Sequence, residues 1–232
     1  WAKPSAPWFF LKSILNKKDG IKLCPSFSLP FINWCLRFIL ECSTKKYIRN
    51  TKIKYQIAEL SLQCLDDIIA ETAIEFYQDR SGIYYFFENE QSLEQAKDNF
   101  SLLTGFGMEV VVLNRLQLIS NLGEYQTLSH KVVGAVFSKN CRTGDCKLFT
   151  RSLLEKCKQF DGFKFINSEH ILNIKKVDNK ITSVVTDTNT YKIDTIVVAM
   201  GCSSMKLLNT VGVNVSILPT RGFSATIEMA ED

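Results

Sequence analysis

The chain has no methionine before Met108, no signal-like start and no membrane-spanning run. Trp1-Ala-Lys-Pro lacks the basic start and apolar core of a signal peptide. No apolar stretch approaches the ~20 residues that cross a bilayer. A chain that begins without an initiator methionine is expected to be a fragment or a processed product. Histidine is scarce, with only His130 and His170. None of the eight cysteines stands in a Cys-x-x-Cys pair, and neither histidine adjoins a cysteine pair. Structural zinc sites use closely spaced ligands, so no metal site is expected. The cysteines read as reduced thiols of a cytoplasmic protein, several serving as small apolar side chains in helices. The G-x-G-x-x-G pattern is also missing. Gly105 and Gly107 have the first spacing, but Val110 fills the third place and a helix precedes them. There is no P-loop, no nucleophile paired with a base, and no internal repeat.

What remains has the composition of a globular protein, 46% hydrophobic and 22% charged. The net charge of +4 is unevenly spread. Residues 1–60 hold 11 Lys/Arg against 3 Asp/Glu, and the rest of the chain is net acidic. Such a segment is either a solvated face or a surface attracted to anionic partners.

Four of the five prolines, Pro4, Pro7, Pro25 and Pro30, break the first 46 residues into short pieces. Phe31–Leu40 is apolar nearly all round, which leaves a buried helix or one lying in a membrane interface. Ile53, Ile57, Leu60, Cys64, Leu65 and Ile68 predict a long amphipathic helix over 51–77. Gly82–Phe87, Glu109–Leu113 and Val132–Phe137 have strand composition. A helix is expected at 91–104, and another near Arg115 with Asn114 as its cap. Beyond residue 139, Lys147–Phe160 predicts a helix. Phe163–Asn167, Ile171–Lys176, Ile181–Thr186 and Tyr191–Ala199 predict strands, with a tight turn at Asp178-Asn179. Ile196–Gly201 reads as a strand buried on both faces, with Ser203 or Ser204 capping a short helix after it. Ile217–Leu218 and Phe223–Ile227 begin a further sheet. The fold class is α/β with mixed α+β character.

The order of four segments resembles the dehydrogenase branch of the D-amino-acid oxidase-like flavoproteins. Trp1-Ala-Lys-Pro-Ser-Ala-Pro7 resembles that family's Trp-Ala-x-Pro loop. Thr143-Gly-Asp-Cys-Lys-Leu-Phe-Thr150 matches a signature of the dehydrogenase branch. Asp194–Gly201 resembles the flavoprotein strand ending Ala-x-Gly, and Pro219-Thr-Arg-Gly-Phe-Ser224 its Pro-x-(Lys/Arg)-Gly segment. The resemblance implies a two-domain flavoprotein with a mixed-sheet substrate domain and an incomplete FAD-binding domain. Residues 1–46 would be a connecting segment near the flavin and 47–138 part of the substrate domain. Residues 139–213 would belong to the FAD-binding domain, and 214–232 would start the return to the substrate domain.

By that resemblance FAD is the cofactor, touched by His170, Ile171, Ala199, Met200, Gly201, Pro219 and Gly222. The residues themselves leave other readings open. His170 is also a plain surface strand residue, Ala199–Gly201 a buried strand with a glycine turn, and Asp145 a helix cap in preference to a catalytic base. Tyr84 faces a substrate pocket or sits in the core; Arg221 meets the flavin or substrate carboxylate or is a surface arginine. No catalytic residue is assigned.

The implied reaction oxidises a D-amino acid such as D-alanine to a 2-oxo acid and ammonia, with hydride passing to the flavin. The implied partners are that small molecule and a membrane electron acceptor, with a peripheral membrane contact and no nucleic acid. The alternatives are an inactive remnant or partner-binding module, or an enzyme of the glycine- or sarcosine-oxidase type. The family's phosphate loop and C-terminal strands find no match here, so residues 1–232 alone are not expected to retain FAD or turn over. The resemblance also expects the Ala199–Gly201 turn to lie against a flavin site rather than open solvent.

Overall fold

A computed structural model describes residues 2–15, 28–122, 131–219 and 222. The chain divides into two compact units, Ser43–Lys164 and Trp1–Cys42 with Phe165–Asp232.

The Ser43–Lys164 unit is built on three antiparallel strands, β1 (Ile83–Phe87), β2 (Val110–Asn114) and β3 (Gly134–Ser138), in the order β1-β3-β2. Ala135 and Val136 are adjacent on the central strand and so point to opposite faces. Both are fully buried. Val136 packs with Leu93 and Ala96 of α4 (Glu90–Thr104). Ala135 packs with Leu113 and with Leu118 of α5 (Arg115–Leu122). The sheet therefore has a helix on each face. Gly134 is required at the end of β3, because a Cβ there would lie 2.6 Å from the Leu113 carbonyl oxygen.

The long helix α3 runs from Thr44 to Thr72, starting well before the expected residue 51. No proline or glycine interrupts this stretch. It stops where Ala73 turns left-handed, at φ 51°. Asp66 ties it to the segment before α6 (Cys146–Cys157), its two oxygens accepting from Arg142 Nη1 and Nη2 at 2.5 and 2.8 Å. Arg80 Nη2 adds a third bond at 2.8 Å. These contacts hold the Asp66 carboxyl below its ordinary pKa, the Arg142 hydrogen bond first among the causes.

The second unit carries α1 (Ala6–Leu15), α2 (Leu29–Glu41), strands β4 (Ile171–Val177), β5 (Lys180–Thr186) and β6 (Thr190–Lys192), and α7 (Ser204–Asn209). The strands form an antiparallel meander, β4-β5-β6. Asp178 and Asn179, at φ 47° and 64°, make the predicted tight turn between β4 and β5.

Several expected features differ. No residue of α2 is buried, although its apolar circumference suggests a core helix as one reading; Leu29, Leu36 and Leu40 are exposed. Phe163–Asn167 forms no strand, β6 ends at Lys192, and Ile196–Met200 is irregular, with Gly201 opening a short 3-10 turn. Val197 within that run is 87% exposed. An apolar run becomes a strand only where another strand satisfies its backbone, and none of the described strands pairs with this one. Ile217–Leu218 is likewise irregular, and Phe223–Ile227 lies outside the described residues. Of the cysteines, Cys42 is buried, whereas Cys64, Cys146 and Cys202 are exposed.

Candidate functional site

Most of the expected site residues fall in one unit. His170 precedes β4, Ile171 opens it, Ala199–Gly201 leads into α7, and Pro219 and Gly222 follow. Tyr84 lies in the other unit, on β1, and Arg221 lies outside the described residues.

The start of β4 is fixed by its neighbours. The His170 N–H donates to Asp187 Oδ1 at 3.0 Å, and the Asp187 N–H donates back to the His170 carbonyl at 3.0 Å. One residue earlier, Glu169 accepts from Thr186 Oγ1 at 2.5 Å, Tyr191 Oη at 2.6 Å and Asn189 Nδ2 at 2.9 Å. These donors, Thr186 first, hold the Glu169 carboxyl at about 2. The same bond raises the Tyr191 phenol, which loses its donor when it ionises. Glu169 thus locks β5, β6 and the loop between them to the residue ahead of His170. Sequence reasoning passed over both Glu169 and Asp187. The only signal was a run of short polar side chains, Thr186–Thr190, which favour local turns.

The Ala199–Gly201 turn is exposed. Gly201 adopts φ +55°, a left-handed conformation that suits glycine, and a Cβ there would meet nothing within 4 Å. Its glycine is required by backbone conformation, not by crowding from protein atoms. The Met200 N–H donates to Ser204 Oγ at 3.1 Å. Ser204 therefore braces the turn, while the α7 N-cap position, Ser203, makes no capping bond. Pro219 lines a groove of about 900 Å³ between α2 and the 205–219 segment.

On the other unit, Tyr84 is half-buried, its ring 4.5 Å from Phe137 and 6.1 Å from Phe86. It packs against the α5-side cluster. Phe86 and Val111, on the same sheet face by register, are exposed. Asp145 caps α6 by accepting from the Leu148 N–H at 2.8 Å. Tyr85, on the opposite face, has its pKa raised by burial and then by Cys141.

The fold is mixed α/β, with a helix-flanked antiparallel sheet in one unit and a three-stranded antiparallel meander in the other. Residues 38–232 match the family described as FAD dependent oxidoreductase, and the chain belongs to that family. It is 28% identical over its whole length to D-amino acid dehydrogenase 2 of Mesorhizobium japonicum, covering 56% of that protein. It is 29% identical over its whole length to D-amino acid dehydrogenase of Vibrio cholerae, covering 55% of it. The chain thus spans a little over half the length of these relatives. Among solved structures, glycine oxidase from Geobacillus kaustophilus aligns with TM-score 0.58 at 15% identity, over 83% of this chain and 45% of that one. L-proline dehydrogenase from P. horikoshii aligns with TM-score 0.55 at 16% identity, over 67% of this chain and 40% of that one. These likenesses establish the mixed α/β fold of FAD-dependent oxidoreductases.

The Ala199–Gly201 turn, expected to lie against a flavin site, faces open space among the described residues. The open left-handed turn at Gly201 leaves room for a bulky group beside the backbone. At the start of β4 the fit is narrower, because the single N–H of His170 is already spent on Asp187. Any backbone donor offered to an adenine there is Ile171. Among the described residues, no group of three or more His, Cys, Asp or Glu could hold a metal.

Proposed function

We propose that the full-length protein is an FAD-dependent dehydrogenase that oxidatively deaminates D-amino acids such as D-alanine. The observation that supports this reading is the likeness to D-amino acid dehydrogenases along all 232 residues. Bound FAD supplies the hydride acceptor, and the protein positions cofactor and substrate. Ile171 and the Ala199–Gly201 turn flank the cofactor, and Pro219 and Gly222 lie near it. Residues 1–232 without the rest of the protein neither retain FAD nor turn over. The test is dye reduction by the purified full-length protein with D-alanine, L-alanine, glycine and sarcosine. Reduction by D-alanine alone is expected. A preference for glycine or sarcosine replaces this reading with an oxidase-type one, and silence with all four leaves an inactive remnant.

Electrons pass to a membrane acceptor, with the protein at the inner face of the cytoplasmic membrane. The support is the basic balance of residues 1–60 and the exposed apolar side chains of α2. No helix among the described residues is long and apolar enough to cross a membrane. Flotation of the full-length protein with anionic vesicles, but not neutral ones, is the expected result. Failure to float with either removes the contact.

A further inference from the structure

The two sides of α3 differ in a way the proposed chemistry does not use. One side is packed: Thr51 is buried, the Tyr55 ring lies 6.3 Å from Phe106, and Asp66 is clamped by Arg142. The opposite side carries Ile53, Ile57, Leu60 and Cys64, spaced by four, three and four residues. Steps of that kind place side chains in a single stripe along a helix. Ile53 is 47% exposed, Ile57 61% and Leu60 58%, and Cys64 is exposed as well. Three large aliphatic side chains in a row on one exposed helix face are a contact surface awaiting a partner.

The charges along the same stripe say which partner. Lys46 and Arg49 continue it toward the N-terminus, and Asp67 and Glu71 toward the C-terminus. The arrangement is self-complementary when the helix is reversed about the midpoint between Ile57 and Leu60. Ile57 then meets Leu60, Ile53 meets Cys64, Arg49 falls beside Asp67, and Lys46 meets Glu71. Each pairing occurs twice around a two-fold axis, as an isologous contact requires. A parallel arrangement would set Lys46 against Lys46 and Glu71 against Glu71. At 29 residues, α3 is about 43 Å long, enough for the whole stripe to engage.

We propose that α3 is the homodimerisation surface of the protein, packing antiparallel against α3 of a second copy through Ile53, Ile57, Leu60 and Cys64. The reversed charge ends fix its direction and register, as flanking charges do between paired helices.

The test is sedimentation of the full-length protein. A dimer is expected, with Ile57→Glu raising its dissociation constant about 100-fold or more, because the substitution sets a charge into the seam twice per dimer. Unchanged helical circular dichroism would confirm that the variant folds. Lys46→Glu should weaken the dimer, and adding Glu71→Lys should restore it. Register is read separately. Under oxidised glutathione, Ile53→Cys should give an interchain disulfide mapped by mass spectrometry to Cys64 of the second copy, and Cys64→Ser should abolish it. The two positions are about 16 Å apart on one helix, too far to bridge within a chain. The proposal fails if the protein is monomeric at about 100 μM, or if it forms a dimer indifferent to Ile57→Glu. A cross-link that survives Cys64→Ser also overturns it.

Discussion

Leu118, Ala135 and Val136 in the Ser43–Lys164 unit have no solvent exposure, and they close both faces of one sheet. In the other unit, the described buried apolar residues are Cys42, Ile174 and Leu207, and Ser183, Thr186 and Ser204 supply much of the rest of the interior. Its β4–β6 meander has Leu172 and Val177 exposed at 59% each. The first unit is held by apolar packing on both sides of a sheet. The second is held by a hydrogen-bonded hub at Glu169 and by a hairpin. A three-stranded sheet with so small an interior gains its rigidity from what covers it.

Hydrogen exchange tests the difference between the two units most directly. β3 amides should exchange at least ~100-fold more slowly than those of β4–β6, because local opening tracks buried apolar contact. Equal protection would erase the difference. Next in size is Leu118→Ala, expected to cost about 2–5 kcal/mol because the side chain is wholly enclosed. Trp1, Trp8 and Trp34 all fall in the meander's unit. Denaturant titration should therefore shift the circular dichroism transition and leave the tryptophan emission transition in place. Coincident shifts would mean the two units unfold as one. Gly134→Ala drives a Cβ to 2.6 Å from the Leu113 carbonyl oxygen and should cost about 1–3 kcal/mol in the same transition. Asp145→Ala removes the cap of α6 and should cost about 1 kcal/mol, with Asp145→Asn close to neutral.

The smallest effect belongs to Glu169 and carries a pH signature. Its folded carboxyl titrates at about 2, below its ordinary value of 4.5. A depressed carboxyl contributes its stability above the ordinary value and loses it as pH falls from 4.5 toward 2. Glu169→Gln should therefore lower the tryptophan-reported Tm above pH 4.5 and converge with the unsubstituted protein near pH 2. A constant gap across that range would show that Glu169 acts by shape and not by charge.

Much of this was legible from local pattern. The 4–3–4 apolar spacing marked α3, the composition of Gly82–Phe87 and Val132–Phe137 marked the strands found at 83–87 and 134–138, and Asp178-Asn179 marked the hairpin turn. Asp145 and Asn114 read correctly as helix caps, because a cap is decided within three residues of itself. The candidate site was less legible. The segments near the cofactor were visible only as a family resemblance, while Glu169 and Asp187 work through partners up to 22 residues away. The Asp66–Arg142 clamp joins residues 76 apart, and no spacing rule reaches that far.

The sequence alone determined every described helix but α1, most of the strands, the turn and the family, because period, capping and turn chemistry act between near neighbours. Tertiary structure decided which apolar segments became interior. Val136 and Val197 are the same residue type, yet one is enclosed and the other is 87% exposed. The difference is a neighbouring strand. Val136 has β1 and β2 on either side to satisfy its backbone, and Val197 has none of the described strands.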